Sequence, residues 1–498
     1  MDDELRQRSI QSPILETEKF KKQKALLNEA LEEAQKKVDF YLAHDPQVQK
    51  AIEVVEMFLR KSNRPCYGGQ AINAHLPSNL KFYEVEYDLP DYDFFSPDPE
   101  SDTKELIAML KKEGFDNIEE RSGVHEGTKK LYANYTAIAD ISYLNPYLYK
   151  KINENKITVA GVSYVGADIL RMNMYLELSR PRGEVKRWSK VFERLTLLNH
   201  AKPTSLCGNQ RITFEKINPD LREKIIQYLI LKKRVLAGPE IAYIYKKSKD
   251  TPETMNWIIR SGGPVLFFSP NINLEKDIQN IRDILQSNNV EIQIIDGYQD
   301  ILPKRVLIKQ EGKPVAYLVD EVACSSYNEI KLDTKDSLRI GSPDTLSFIY
   351  LMISLLTDDD KVLEFPVNCF AQKFIQISDL FRDGKEKFPG FSVRCAGHQK
   401  TILEILKARE NRREADKEKK KKERAKLKEI RNKAKEKEKG NEKGNEKGKE
   451  KRNEKRKEKR KTNKRRPAKI DTKRRTRKNK VIKGKGKGKD APPALNRI

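Results

Sequence analysis

Two carboxylates stand one residue apart in a short aromatic run, Asp91-Tyr92-Asp93-Phe94-Phe95. In a strand, residues i and i+2 point to one face, so Asp91 and Asp93 share a face and Tyr92 and Phe94 take the other. Carboxylates held that close raise each other's pKa unless a cation lies between them. A hard, oxygen-seeking ion such as Mg²⁺ or Mn²⁺ is the natural occupant. A third acid, Asp140, stands alone in the apolar stretch 135–144, which reads as a strand. Burying an unpaired carboxylate is costly, and a metal shared with Asp91 and Asp93 removes that cost. Glu126 and Asp168 compete for the same role. Upstream, Gly68 and Gly69 precede a short helix around Ala71 to His75. Such a turn lets backbone N–H groups approach a phosphate closely, and a helix N-terminus favours negative charge; an ordinary tight turn is the alternative. Three acids behind a Gly-Gly turn, with no His/Cys cluster, point to two-metal phosphoryl or nucleotidyl transfer.

The elements that must position these groups follow from periodicity. Residues 16–44 are helix-rich, with Leu27, Leu31 and Val38 at near-helical spacing. Asp45-Pro46 starts a second helix, Asp as cap and Pro at the first position, with an apolar stripe of Ala51, Val54, Val55 and Phe58. A hairpin fits residues 79–87, a helix 101–114, and strands 118–124 and 130–144. Asp88 and Asp98 sit in Pro-punctuated loops and read as solvated. A helix over 183–199 carries Lys186, Arg187, Lys190 and Arg194. Positions 187, 190 and 194 share a face, suited to gripping a triphosphate or else a solvated amphipathic face with Trp188 in the core. Helices and strands alternate irregularly over 200–400, without a second acid-apolar-acid motif.

The wording YGGQAIN, then LPDYDFFSPDP, then LELSRPRGEVKRWSKVFERLTLLN resembles the poly(A) polymerases of large cytoplasmic DNA viruses, of the giant-virus and African swine fever type, within the polymerase-beta-like nucleotidyltransferase superfamily. The resemblance covers residues 50–200 well, 200–400 loosely and the tail not at all. It departs at Gln70, where a Ser is usual, and in a longer gap between Gly69 and Asp91. It implies template-independent polyadenylation of mRNA 3′ ends from ATP, with two Mg²⁺ or Mn²⁺ ions held by Asp91, Asp93 and Asp140, and with Gly68, Gly69, Arg187 and Lys190 on the nucleotide. It further implies a degenerate nucleotidyltransferase-like second domain, a homodimer, and a cytoplasmic viral site of action with packaging in the virion. Another RNA nucleotidyltransferase (CCA-adding, uridylyl-adding or oligoadenylate-making) stays open, as does an inactive scaffold that binds RNA.

The expected fold class is α+β: a helical region (1–60), a catalytic mixed sheet with helices (61–200), a second α+β domain (201–410) and a basic low-complexity tail (411–498). Residues 411–498 hold 41 Lys and Arg against 14 Asp and Glu, leaving 59 against 60 for residues 1–410. The whole basic excess of +26 therefore lies in the tail, whose Gly-containing part reads as disordered, while the Glu/Lys runs before Gly440 suit a solvated helix. Such a tail binds nucleic acid without sequence preference or merely solubilises. Five scattered cysteines with no CxxC pair fit reduced thiols in a cytosol-like compartment. The N-terminus does not read as a signal peptide, and no apolar run is long enough to span a membrane.

Overall fold

In the computed structural model of the chain, the described residues are 17–84, 86–123, 127–208, 216–246, 252–260, 262–270, 274–298, 301–332, 336–359, 363, 365–382, 388–415, 417–419, 421–426, 428 and 452–456. Residues 1–410 form one compact unit and 411–498 another. In the second unit the described residues are helical. The Gly-containing repeats, read above as disordered, lie outside the described residues.

Among the described residues the first element is helix α1 (Glu18–Ala43), on which Leu27, Leu31 and Val38 are exposed. Helix α2 (Pro46–Ser62) follows; Asp45 caps it, its Oδ1 accepting from Gln47 N at 2.8 Å and Val48 N at 3.1 Å. Its apolar stripe, Ala51, Val54, Val55 and Phe58, is buried against the first sheet. Strand β1 (Pro65–Tyr67) runs into α3 (Gly68–His75), then come β2 (Tyr92–Ser96), α4 (Pro99–Lys112), β3 (Ile118–Ser122), β4 (Thr128–Ala133), β5 (Thr136–Tyr143), α5 (Pro146–Asn153), β6 (Ile157–Val159), β7 (Val162–Tyr164), α6 (Ala167–Leu178) and α7 (Trp188–Ala201).

The remainder is α8 (Pro219–Lys232), β8 (Val235–Leu236), α9 (Ile241–Lys246), α10 (Pro252–Arg260), β9 (Val265–Pro270), α11 (Leu274–Leu285), β10 (Val290–Ile295), β11 (Arg305–Gln310), β12 (Lys313–Glu321), β13 (Ser325–Lys331), β14 (Ser337–Gly341), α12 (Pro343–Leu356), α13 (Val367–Phe381) and β15 (Cys395–Ala396). The class is α+β with two mixed sheets.

The two sheets repeat one plan. The first has the order β3-β4-β5-β2-β1-β7-β6, the second β10-β11-β12-β9-β8-β14-β13 with β15 added at the edge. Sense repeats as well: β2 is parallel to β5 and antiparallel to β1, and β9 is parallel to β12 and antiparallel to β8. One buried motif fixes the correspondence residue by residue. Arg64 grips Asp102 through Nε at 2.7 Å and Nη2 at 2.9 Å, and Ser96 Oγ donates to the same carboxylate at 2.5 Å. In the second sheet Arg234 grips Asp277 at 2.8 and 3.0 Å, and Ser269 Oγ donates at 2.6 Å. A planar guanidinium, itself half-buried, satisfies the buried carboxylate in bidentate fashion. It locks the first turn of α4, or of α11, to the strand before it.

Three expectations need correction. The gap at 79–87 shows no hairpin: among the described residues there is a short 3₁₀ turn (Ser78–Leu80), then chain without strand. The stretch 130–144 is two strands, turned at Asn134 and Tyr135, both with positive φ. Four of the five cysteines are not thiols. Cys207 bonds Cys369 across 162 residues and Cys324 bonds Cys395 across 71, leaving Cys66 free and buried. Among the described residues no helix is long and apolar enough to cross a membrane.

Candidate active site

The site forms where β1 ends beside β2. Tyr67 is the register partner of Asp93, so the next residue, Gly68, lies against the Asp93 carboxylate. Gly68 has φ +72°, and a Cβ there would collide with Asp93 Oδ2. Only glycine meets both demands cheaply. Gly69 is constrained from another side: a Cβ would collide with the Tyr83 hydroxyl and lie 3.1 Å from Arg194 Nη1. The helix α3 begins at these glycines, so its free N–H groups point out of the turn beside the acids.

Alternation runs from Asp91, just before β2, to Phe94: Asp91 is exposed, Tyr92 and Phe94 are buried and Asp93 between them is half-buried, while Phe95 and Ser96 beyond are buried too. Asp140 on β5 is the direct register partner of Asp93 across the parallel pair. The three acids are therefore neighbours in space. Burial first, then Asp91 and Asp140, push the Asp93 carboxyl up to about 7, against the opposing pull of Lys130 and Arg187. Asp91, at the exposed lip, is also pushed up, by the surrounding protein first and Asp140 second. Raised carboxyl pKa values of this origin mark a cluster short of positive charge.

Three oxygen-donor acids suit a hard divalent ion. Among the described residues, no group of three or more His, Cys, Asp or Glu side chains is drawn together closely enough to hold one as arranged. Asp140 is engaged instead by Lys130, whose Nζ donates to its Oδ2. The donor set fits a metal; its present geometry is that of an ion pair.

Sequence reading missed Lys130. A bulge between Leu131 and Tyr132 sets it opposite Asp140. Plain hairpin counting from the turn would have put Lys129 there.

Of the basic residues, Arg187 stands on a 3₁₀ turn before α7 rather than within the helix. It meets Glu177 at 3.4 Å and Glu184 at 3.5 Å. Its charge also pulls the Asp93 carboxyl down, and that of Lys190 does the same for Asp91. The Lys190 ammonium is itself pushed below its usual value by Arg194 first, burial second and Arg187 third. Arg194 lies over the Phe82 ring at 4.6 Å and donates to the Tyr83 hydroxyl at 3.0 Å. It belongs with Arg187 and Lys190, although sequence reading ranked it below them.

Of the two competing acids, Asp168 pairs with Arg171 at 2.5 Å. Asp88 and Asp98, read as solvated loop residues, make local hydrogen bonds: Asp88 accepts from Glu84 N at 2.8 Å, and Asp98 caps α4, accepting from Ser101 N at 3.1 Å. Glu126 lies outside the described residues. Trp188 is half-buried and donates to the Glu177 carbonyl at 3.1 Å.

The second sheet has no such site. By the shared Arg-Asp-Ser motif and strand registers, the places of Asp91, Asp93 and Asp140 fall to Pro264, Leu266 and Tyr317. Gly238 takes the place of Gly68, but Glu240 fills the space over it and pairs with Arg222 at 2.7 Å, fully buried.

The glycine turn after β1, Asp91 and Asp93 at the start of β2, and Asp140 on the parallel neighbour β5 thus meet in one place. Residues 53–184 match the family described as the poly(A) polymerase catalytic subunit. That segment holds both glycines and all three acids, and stops just short of Arg187 and Lys190.

A protein of Acanthamoeba polyphaga mimivirus, provisionally named as such a catalytic subunit, is 28% identical over 148 residues, 29% of this chain and 25% of its own length. One of African swine fever virus (strain Badajoz 1971 Vero-adapted), named likewise, is 28% identical over 167 residues, 32% of this chain and 35% of its own. The chain thus spans about a quarter to a third of the length of these relatives. The crystal structure of the Megavirus polyadenylate synthase superposes with a TM-score of 0.65 at 18% identity, over 80% of this chain and 84% of that one. Its likeness is one of fold. The resemblance to the viral poly(A) polymerases holds over the segment that carries the acids.

Proposed function

We propose that the chain is a template-independent RNA adenylyltransferase that extends mRNA 3′ ends from ATP. One observation carries the reading: Asp93 and Asp140 are register partners beside a glycine turn that leaves α3 uncapped, all inside the segment matched to the catalytic-subunit family.

In this reading Asp91, Asp93 and Asp140 would hold two Mg²⁺ or Mn²⁺ ions, which when bound would supply Lewis acidity to the transfer. The chain's own groups do the rest. The N–H groups at Gly68 and Gly69 cradle the triphosphate. Arg187, Lys190 and Arg194 neutralise it, and Tyr83 holds Arg194 in place. The second lobe, its acids replaced and its glycine turn plugged by Glu240, walls the cleft without chemistry of its own. The basic segment 411–498 holds nucleic acid by charge alone. A homodimer, action in the cytoplasm of an infected host cell and packaging in the virion extend the same analogy.

Primer extension tests it. Purified protein, a labelled RNA primer, Mg²⁺ or Mn²⁺ and each nucleoside triphosphate in turn should give a long ladder with ATP alone. Equal use of several nucleotides would keep nucleotidyl transfer and remove the adenylate choice. RNA binding without extension under any condition would favour an inactive scaffold.

A further inference from the structure

Lys130 sits opposite Asp140 because of the bulge at Leu131 and Tyr132. Its ammonium donates to Asp140 Oδ2, while its side chain keeps 39% exposure. The side chain is thus partly open to solvent beside Asp140. Among the described residues it forms the one direct ion pair with the three acids.

The fold itself supplies a control. At the equivalent positions of the second sheet, Leu307 faces Tyr317. That lobe builds the same strand pair with neither charge, so the architecture does not require the Lys-Asp pair. The two charges are present together where the chemistry is and absent together where it is not.

Position then says what the lysine serves. In the sheet order β4-β5-β2-β1, the glycine turn follows β1 and Lys130 lies on β4, on the far side of the acids. At strand spacing that is roughly 14 Å away. The triphosphate lies with the glycines and with Arg187, Lys190 and Arg194. The anion within reach of Lys130 is the other substrate.

We propose that Lys130 is the resident counter-ion of Asp140 in the metal-free protein. When a divalent ion takes Asp140, the ammonium is released to the phosphodiester nearest the RNA 3′ end and positions the primer. A divalent ion held by several of these carboxylates would outcompete a single ammonium for the same oxygen. The released head needs only a rotamer change to meet a phosphate at the mouth. The inference rests on the nucleotidyl-transfer reading above.

Three readouts on Lys130→Met, with Lys130→Gln as a second neutral variant and Lys130→Arg as the conservative one, test it. Free Mn²⁺ is followed by electron paramagnetic resonance without nucleotide, thermal unfolding is recorded without metal, and KM is measured separately for RNA and ATP. Both neutral variants should unfold earlier without metal and bind Mn²⁺ several-fold more tightly, having lost the competing cation. Their RNA KM should rise on the order of tenfold, the size of one charge-assisted contact, with the ATP KM unchanged, and Lys130→Arg should recover most of it. Unchanged or weaker Mn²⁺ binding overturns the counter-ion role. An unchanged RNA KM, or a parallel rise in the ATP KM, overturns the primer role. A wild-type protein that binds no Mn²⁺ would sink the two-metal reading itself, a result distinct from either.

Discussion

Gly68 and Asp93 lie against each other, the Cα of the one filling the space beside Oδ2 of the other. Two unrelated demands meet at this contact. The backbone at 68 is left-handed, and the carboxylate leaves no room for a side chain. Gly68→Ala should therefore cost about 1–2 kcal/mol in backbone strain and also displace Asp93. A misplacement of about 1 Å at a reacting centre can cost on the order of a hundredfold in rate. Urea unfolding and primer extension on the same preparation check both. A variant as active and as stable as wild type would contradict the contact.

Gly69 answers to Tyr83 rather than to the backbone. Gly69→Ala should reduce activity less than Gly68→Ala, and adding Tyr83→Phe should recover part of the loss, because the phenolic oxygen is the obstruction. Extension rates of the single and double variants read this out. The Tyr83→Phe single variant, which loses only the hold on Arg194, is the reference; no recovery relative to it would mean that the methyl group interferes with the nucleotide directly.

Glu321 makes folding depend on pH. Burial first, Arg234 and Arg339 opposing and Asp320 adding, hold its carboxyl up at about 8, and its Oε1 has no hydrogen-bond partner. The folded chain therefore keeps a proton that the unfolded chain releases near the ordinary value of 4.5. Stability from this group is full below about 4.5 and is lost as pH rises through about 8. Glu321→Gln should remove that slope, leaving stability near wild type at acid pH and raising it by about 1–3 kcal/mol in the alkaline range. Denaturant midpoints across pH measure it; parallel curves for both proteins would contradict it.

The duplicated Arg-Asp-Ser lock should matter in both lobes. Asp277 is buried and accepts from Arg234, Ser269 and the Tyr228 hydroxyl. Removing one partner of a buried pair costs about 3–5 kcal/mol, so Asp277→Ala should lower the urea midpoint strongly. The ATP KM of the folded fraction should stay at the wild-type value, since the second sheet holds none of the acids.

What the sequence made legible was local. Asp91 and Asp93 could be read because a strand's period of two needs no knowledge of its neighbours. Asp45 and Pro46 announced their helix by capping chemistry, and Asp140 stood out as a lone charge in an apolar run. What it hid depends on partners distant in the chain. The Arg64–Asp102 and Arg234–Asp277 pairs span 38 and 43 positions, and neither residue type signals a partner at such a range. Strand β13 is polar (SSYNEIK) and lacks the alternation that marked the others. Lys130 was hidden by one bulged residue, and Gly69 resembled a phosphate turn when its nearest constraint was a tyrosine. The disulfides bridge 162 and 71 residues, with no spacing to betray them.

The central claim is that the paired acids carry nucleotidyl transfer, and Asp93→Asn tests it most directly. The substitution keeps the shape and removes the charge that burial and its two neighbours already oppose. The variant should fold at least as stably as wild type without metal, bind less Mn²⁺, and add no adenylate to an RNA primer that the wild type extends. Tailing by a well-folded Asp93→Asn protein at a rate near wild type would contradict the claim outright.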